Sequence, residues 1–197
     1  FGRVNLLVCY FRLLINAFRF HRSNIGNGST YSRPLTESVL GYTIEFFHYG
    51  ELINLFEEIF IDQVYSFKST TTNPLIVDGG SNIGLSALYF KLIYPTSRII
   101  AFEPNPKAYE LLKRNIINNH LASVTIFNVA LSDCEGDASL YPGSQYSGTL
   151  TWSLFNSLQQ DRMEIIKTNR VSSYIHDEVD LLKLDVEGSE TEILNDL

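Results

Sequence analysis

The sequence predicts an α/β protein built on a doubly wound, mostly parallel sheet. Two observations carry that expectation. Short apolar runs stop at a carboxylate, first in Leu75-Ile76-Val77-Asp78 and then, 25 residues on, in Arg98-Ile99-Ile100-Ala101-Phe102-Glu103. Between them lie a glycine-bracketed corner, Gly79-Gly80-Ser81-Asn82-Ile83-Gly84, and a stretch with helical spacing. Strand, glycine turn, helix and strand, joined by right-handed crossovers, make such a sheet. Its ligand edge lies at the carboxyl ends of the strands. There glycines let a backbone come close, and an acid after the second strand can hold two ribose hydroxyls.

The elements follow in order. Val4 to Phe18 is apolar but interrupted or flanked by Arg3, Arg12, Arg19 and Arg22. Its uninterrupted run falls short of the roughly 20 residues a spanning helix needs. It reads as an amphipathic packing helix, in preference to one lying on a membrane surface. The polar stretch Asn24 to Pro34 reads as a loop, and its Asn27-Gly28-Ser29 matches a glycosylation sequon. Tyr42 to Phe47 has the composition of a strand, and Leu52 to Phe60 that of a helix with Leu52, Leu55, Phe56 and Ile59 on one face.

Leu75 to Asp78 opens the main sheet. The helix after Gly84 is expected to bury Leu85, Leu88, Tyr89 and Leu92 and to end at Pro95. Arg98 to Phe102 is the second strand. Asn105-Pro106 then supplies a cap and a first-turn proline for a helix that buries Ala108, Leu111, Leu112 and Ile116. Val124 to Asn128 is a third strand. From Ser132 to Tyr174 the alternation lapses, and a hairpin or loop insertion over the carboxyl edge is expected. Val179 to Asp185 is a fourth strand, again ending on an acid, before Val186-Glu187-Gly188-Ser189-Glu190 turns into a last helix.

Composition narrows the function. At 197 residues, 45% hydrophobic and 19% charged, the chain can bury one sizeable α/β core. A net charge of -7 argues against duplex nucleic acid, which needs a basic surface. Cys9 and Cys134 lie far apart without metal or disulfide spacing, which points to a reducing, cytoplasmic setting. The chain starts at Phe1 and stops at Leu197 inside a helical pattern, so both ends read as cuts.

The glycines at 79, 80 and 84 fit no register of Gly-x-Gly-x-x-Gly, which disfavours a nicotinamide-dependent oxidoreductase. Asp78 also puts negative charge where a pyrophosphate would approach. The same acid suits a cofactor whose near end carries an ammonium and a sulfonium, as S-adenosylmethionine does.

Asp78-Gly79-Gly80-Ser81-Asn82-Ile83-Gly84, then Glu103-Pro104, then Asp180-Leu181-Leu182-Lys183-Leu184-Asp185-Val186-Glu187-Gly188-Ser189-Glu190 together resemble the FkbM-type family of S-adenosylmethionine-dependent methyltransferases. Glu58-Ile59 and Tyr65 look like that family's entry segment. Gly80-Ser81 departs from the more usual Gly-Ala, a small change. The resemblance runs from roughly Leu40 to Leu197. It implies a class I, Rossmann-like methyltransferase domain over 35–197 behind an N-terminal helix and loop over 1–34, with the sheet cut after its fourth core strand. Weak or absent turnover is therefore expected of residues 1–197 alone.

The resemblance implies that Gly79, Gly80, Ser81, Asn82 and Gly84 wrap the methionine end of the cofactor while Asp78 orders that turn. Glu103 would take the ribose hydroxyls, and a turn at Ala130-Leu131-Ser132 would flank the adenine. Asp185 and Glu187 would face the methionine end and the acceptor, a small molecule or a sugar. For a hydroxyl acceptor they are the candidate bases. Their structural alternative is that Glu187 and Glu190 charge the start of the last helix. No metal is expected. His48, His120 and His176 read as isolated surface residues. Tyr141, Gln145, Tyr146 and Trp152 could line an acceptor pocket or simply pack a hairpin. A binding module that keeps the fold without turnover is the alternative outside enzymes.

Overall fold

The computed structural model describes residues 2–23, 33–142, 152–153, 164–186 and 188–197. The sequon at Asn27, the candidate base Glu187 and the aromatic-segment residues Gln145 and Tyr146 lie outside them. The chain divides into two compact units, Phe1–Ser66 and Phe67–Leu197.

The first unit holds helix α1 (Arg3–Ser23), the antiparallel hairpin β1 (Leu35–Val39) and β2 (Tyr42–Phe46), and α2 (Tyr49–Phe56), which widens into a π-helical turn at Glu57–Ile61. Strand β1, Leu-Thr-Glu-Ser-Val, went unread in the sequence because three of its five residues are polar. Leu6, Cys9 and Leu13 of α1 are buried, as a packing helix requires. Leu52, Phe56 and Ile59 are buried as expected and Leu55 is half-buried, while the π turn also buries Phe60. Glu58 and Tyr65 meet, with Tyr65 Oη donating to Glu58 Oε1 at 3.2 Å.

The second unit carries the predicted parallel sheet. Strands β3 (Leu75–Gly79), β4 (Arg98–Phe102), β5 (Val124–Phe127) and β10 (Leu181–Leu184) lie in the order β10-β3-β4-β5, all parallel. Crossovers through α3 (Leu85–Ile93) and α4 (Pro106–Asn118) return the chain to the next strand in the same sense. Every residue of β3 is buried, which its continuous apolar run foreshadows. The order reverses between β3 and β10, and such a switch point is where sheets of this kind take ligands.

Helix α4 starts as its sequence dictates. Asn105 Oδ1 accepts from Lys107 N at 2.9 Å and Ala108 N at 3.3 Å, ahead of Pro106. The expected stripe Ala108, Leu111, Leu112 and Ile116 is buried. Helix α3 differs from expectation. It is buried on all sides from Leu85 to Lys91, which takes Phe90 inside as well, while Leu92 in its last turn is only half-buried.

The stretch after β5 is more ordered than a loop insertion. Strands β6 (Ala130–Ser132), β7 (Gly136–Pro142), β8 (Trp152–Ser153) and β9 (Glu164–Arg170) form a second sheet in the order β6-β9-β7-β8. Strand β7 pairs antiparallel with β8, the next strand along the chain, and with β9; the first pair is the hairpin that the sequence leads one to expect. A short helix, α5 (Glu190–Asp196), follows β10, and its Ile193 joins Val77, Phe102, Val129, Leu131 and Val171 in one apolar cluster.

Candidate functional site

Parallel register sets the site. Lys183 of β10 and Ala101 of β4 are the two register partners of Asp78, so a lysine stands beside the first acid. Lys183 Nζ lies 3.1 Å from Asp78 Oδ1, with side-chain exposures of 5% and 0%. The ammonium is not aligned for a hydrogen bond to that oxygen, so the contact is an ion pair by proximity. Its directed bonds go to backbone carbonyls, Gly80 O at 2.6 Å and Gly79 O at 3.2 Å. Asp78 Oδ2 accepts from Ser86 Oγ at 2.5 Å, a charge-assisted bond to the first turn of α3. Asp78 thus stands behind the turn and ties it to two elements.

The turn is closed by its own backbone. Gly80 N and Ser81 N both donate to Phe102 O at 2.9 Å, and Gly84 N donates to Ser81 O at 2.8 Å. Ser81 Oγ donates back to Asp78 O at 2.9 Å. Gly80 has φ +79°, and a Cβ there would sit 1.9 Å from Asp185 O. No side chain fits between the ends of β3 and β10. Gly84, at φ +91°, would drive a Cβ to 2.8 Å from Leu112 Cδ1. Asn82 also takes a left-handed backbone, φ +48°, which asparagine tolerates better than most residues.

Glu103 links the second corner to the first. Its Oε2 accepts from Asn82 N and its Oε1 from Asn105 N, each at 2.8 Å. Only 7% of the residue is exposed. Burial pushes its carboxyl up to about 7, against the pull of the two N–H donors and the Lys183 charge, and Asp78 adds to the rise. Asn128 Nδ2 donates to Glu103 O at 2.8 Å and Pro104 O at 3.0 Å, fixing the backbone from the third strand's end.

The third corner is more open. Asp185 N donates to Gly79 O at 3.0 Å, which continues the β3–β10 ladder past its last paired residues. The Asp185 side chain is 52% exposed, with Oδ2 3.9 Å from Lys183 Nζ. Glu190 Oε1 accepts from Val186 N at 3.2 Å and Gly188 N at 3.3 Å, so this acid closes the loop ahead of α5.

One expected feature is corrected. Ala130-Leu131-Ser132 is not a turn but strand β6, paired in parallel with Thr168-Asn169-Arg170 of β9. Leu131 is buried in the apolar cluster and its Cδ1 lies 3.1 Å from where a Gly79 Cβ would stand. The apolar Val129-Ala130-Leu131 run is drawn into the core on both sides, which a turn would forfeit.

Of the residues the sequence singles out, Asp78, the glycine turn, Glu103 and Asp185 converge on one sheet edge. Lys183 and Ser86 were missed as members. Lys183 carried a signal, a charged residue inside an otherwise apolar strand. His120 and His176 are exposed and His48 is half-buried, ahead of α2. Among the described residues no cluster of His, Cys, Asp or Glu could hold a metal ion.

Comparison with known proteins identifies the family. Residues 78–197 match the model of the Methyltransferase FkbM domain. The chain is 32% identical over 172 residues to methyltransferase SdnD of Sordaria araneosa, covering 71% of this chain and 66% of that protein. It is 30% identical over 192 residues to Methyltransferase 1 of Beauveria bassiana, covering 86% of this chain and 72% of the relative. It is 25% identical over 139 residues to the 2-O-methyltransferase NoeI of Sinorhizobium fredii, covering 62% and 56%. The matches thus span about two thirds of the first two relatives' length and rather less of the third.

Proposed function

This chain belongs to the FkbM methyltransferase family, and we propose that it serves the transfer of a methyl group from S-adenosylmethionine to a hydroxyl of a small molecule or a sugar. The observation that carries the cofactor assignment is the electrostatic make-up of the sheet edge. The N–H groups of Gly80, Ser81, Asn82 and Gly84 are all spent inside the protein, on Phe102, Glu103 and Ser81. A diphosphate needs such donors free at the turn. What the edge offers instead is carboxylate, from Glu103 and Asp185, against one buried ammonium, Lys183. That charge balance suits a ligand bearing an ammonium and a sulfonium.

Each Glu103 oxygen holds one N–H and keeps a lone pair for a ribose hydroxyl. Gly80 lets the Asp185 end of β10 close on the turn, which sets the floor of this edge. When bound, S-adenosylmethionine supplies an activated methyl group with its leaving group in place. The protein's share is then alignment and exclusion of water. Asp185, half-exposed at the edge, is the residue we assign to accept the hydroxyl proton or to face the cofactor's ammonium, and Glu187 follows it two residues on. The hydroxyl acceptor is supported by the relative that is a 2-O-methyltransferase.

Calorimetry tests the cofactor. Heat from S-adenosylhomocysteine with none from a nicotinamide dinucleotide is the expected result, and the reverse would overturn it. Mass spectrometry of a panel of hydroxylated metabolites and sugars, scored for gain of one methyl, tests the acceptor.

A further inference from the structure

Helix α1 has two apolar faces, and the first unit uses one of them. On the inner face Leu6, Cys9 and Leu13 are at most 5% exposed. The Tyr10 ring stacks on Phe56 with centroids 6.3 Å apart, and Phe20 meets Tyr49 at 5.5 Å. Asn16 Nδ2 donates to Glu37 Oε1 at 2.9 Å, Tyr10 bonds to Glu57, and Arg12 donates to Ser38 O. On the outer face Val4, Leu7, Val8, Phe11, Ile15 and Phe18 are 49 to 72% exposed. At a helix's 100° per residue these six span an arc of about 100° and run about 21 Å along the axis. A continuous exposed apolar stripe of this kind marks an interaction surface.

Charge says what the surface meets. The 21 residues of α1 include Arg3, Arg12, Arg19, His21 and Arg22 and not one Asp or Glu. This stands in a chain whose acids outnumber its Lys and Arg by 22 to 15. On the helical projection Arg12 and Arg19 border one side of the stripe, His21 borders the other, and Arg22 follows it at the helix end. An apolar stripe of Val, Leu, Ile and Phe with arginines along one margin and at its end is the pattern of a helix lying in a membrane interface. Pairing with a second copy of α1 would bring arginine margins together with no acid on either helix to answer them. The helix is not apolar enough to cross a membrane, in keeping with a surface position.

We propose that the outer face of α1 docks the protein on an anionic lipid surface, Phe11 and Phe18 entering the acyl boundary and Arg19 and Arg22 meeting the headgroups. The test is co-flotation of the chain with vesicles of phosphatidylcholine, alone or mixed with phosphatidylserine. Binding to the mixed vesicles is expected, weakening as salt is raised. Phe11→Ser with Phe18→Ser should lower the partition roughly tenfold or more by removing buried apolar area. Arg19→Glu with Arg22→Glu should do the same through charge. All four side chains are exposed, so the variants should keep the wild-type unfolding midpoint, and either pair suffices if the other misfolds. No flotation with phosphatidylserine vesicles would overturn the proposal. So would variants that float like the wild type, or a dimer in sedimentation that the phenylalanine variants dissolve while vesicle binding is absent.

Discussion

Lys183 on β10 stands beside Asp78 on β3, its ammonium 3.1 Å from the carboxylate and both side chains buried. Neither charge has water to turn to. Removing one partner of such a pair leaves an uncompensated buried charge and costs roughly 3–5 kcal/mol. Lys183→Met is therefore expected to destabilise the protein by about that much. Pairing it with Asp78→Asn should recover a good part of the loss, because the neutral amide keeps a partner in Ser86. Denaturant unfolding of the four proteins in a double-mutant cycle measures this. Additivity within about 0.5 kcal/mol would show that the two residues are not coupled.

Gly80 is where β3 and β10 come closest. A methyl group there meets Asp185 O at 1.9 Å on a backbone already at φ +79°. The left-handed conformation alone costs a non-glycine residue about 1–2 kcal/mol, and the clash with backbone adds to it. Gly80→Ala should lower the unfolding midpoint and weaken S-adenosylhomocysteine binding at least tenfold, since relief of the clash moves the Asp185 end of β10. Gly50→Ala, in a helix with open space around it, is the control expected to do neither.

What could be read from the sequence followed from local rules. The Asn105 cap, the α4 stripe and the four parallel strands are written in spacing and composition, and so are the acids at the strand ends. The Lys183–Asp78 pair is not, because it depends on β10 lying next to β3 across more than a hundred residues of chain. The lysine was visible, but its neighbour was not. Strand β6 was misread for a related reason. Leu131 is placed by the apolar cluster it joins and the partner strand β9, neither of which shows in three residues. In α3 an amphipathic template put Leu92 inside and missed Phe90, because a helix covered all round has no periodic signal to read.

Glu103 makes stability depend on pH. Burial holds its carboxyl at about 7 against 4.5 for the free group, so the folded state binds this proton more tightly than the unfolded state. Stability from this residue is then fully present below about 4.5 and is lost as pH rises through about 7. The size is on the order of 3 kcal/mol. Glu103→Gln should flatten the response between pH 5 and 8, while forfeiting one of the two backbone N–H bonds, because the amide nitrogen cannot accept. Unfolding curves across that range check it. The same substitution takes away the charged ribose acceptor, so S-adenosylhomocysteine affinity should fall as well. A variant that binds as tightly as the wild type would remove Glu103 from the cofactor site.

Asp185 has two assignable duties at the edge, and substitution separates them. Its side chain is half-exposed and only 3.9 Å from Lys183, so Asp185→Asn should shift stability by no more than about 0.5 kcal/mol. If Asp185 takes the acceptor's proton, the variant should lose kcat by about 10²–10⁴ while S-adenosylhomocysteine affinity holds. If it instead faces the cofactor's ammonium, affinity should fall for S-adenosylhomocysteine and hold for 5′-methylthioadenosine, which lacks that group. Full kcat together with full affinity would take Asp185 out of both duties. The proton would then pass to Glu187 or to water, and Glu187→Gln, with the same three readouts, decides between those.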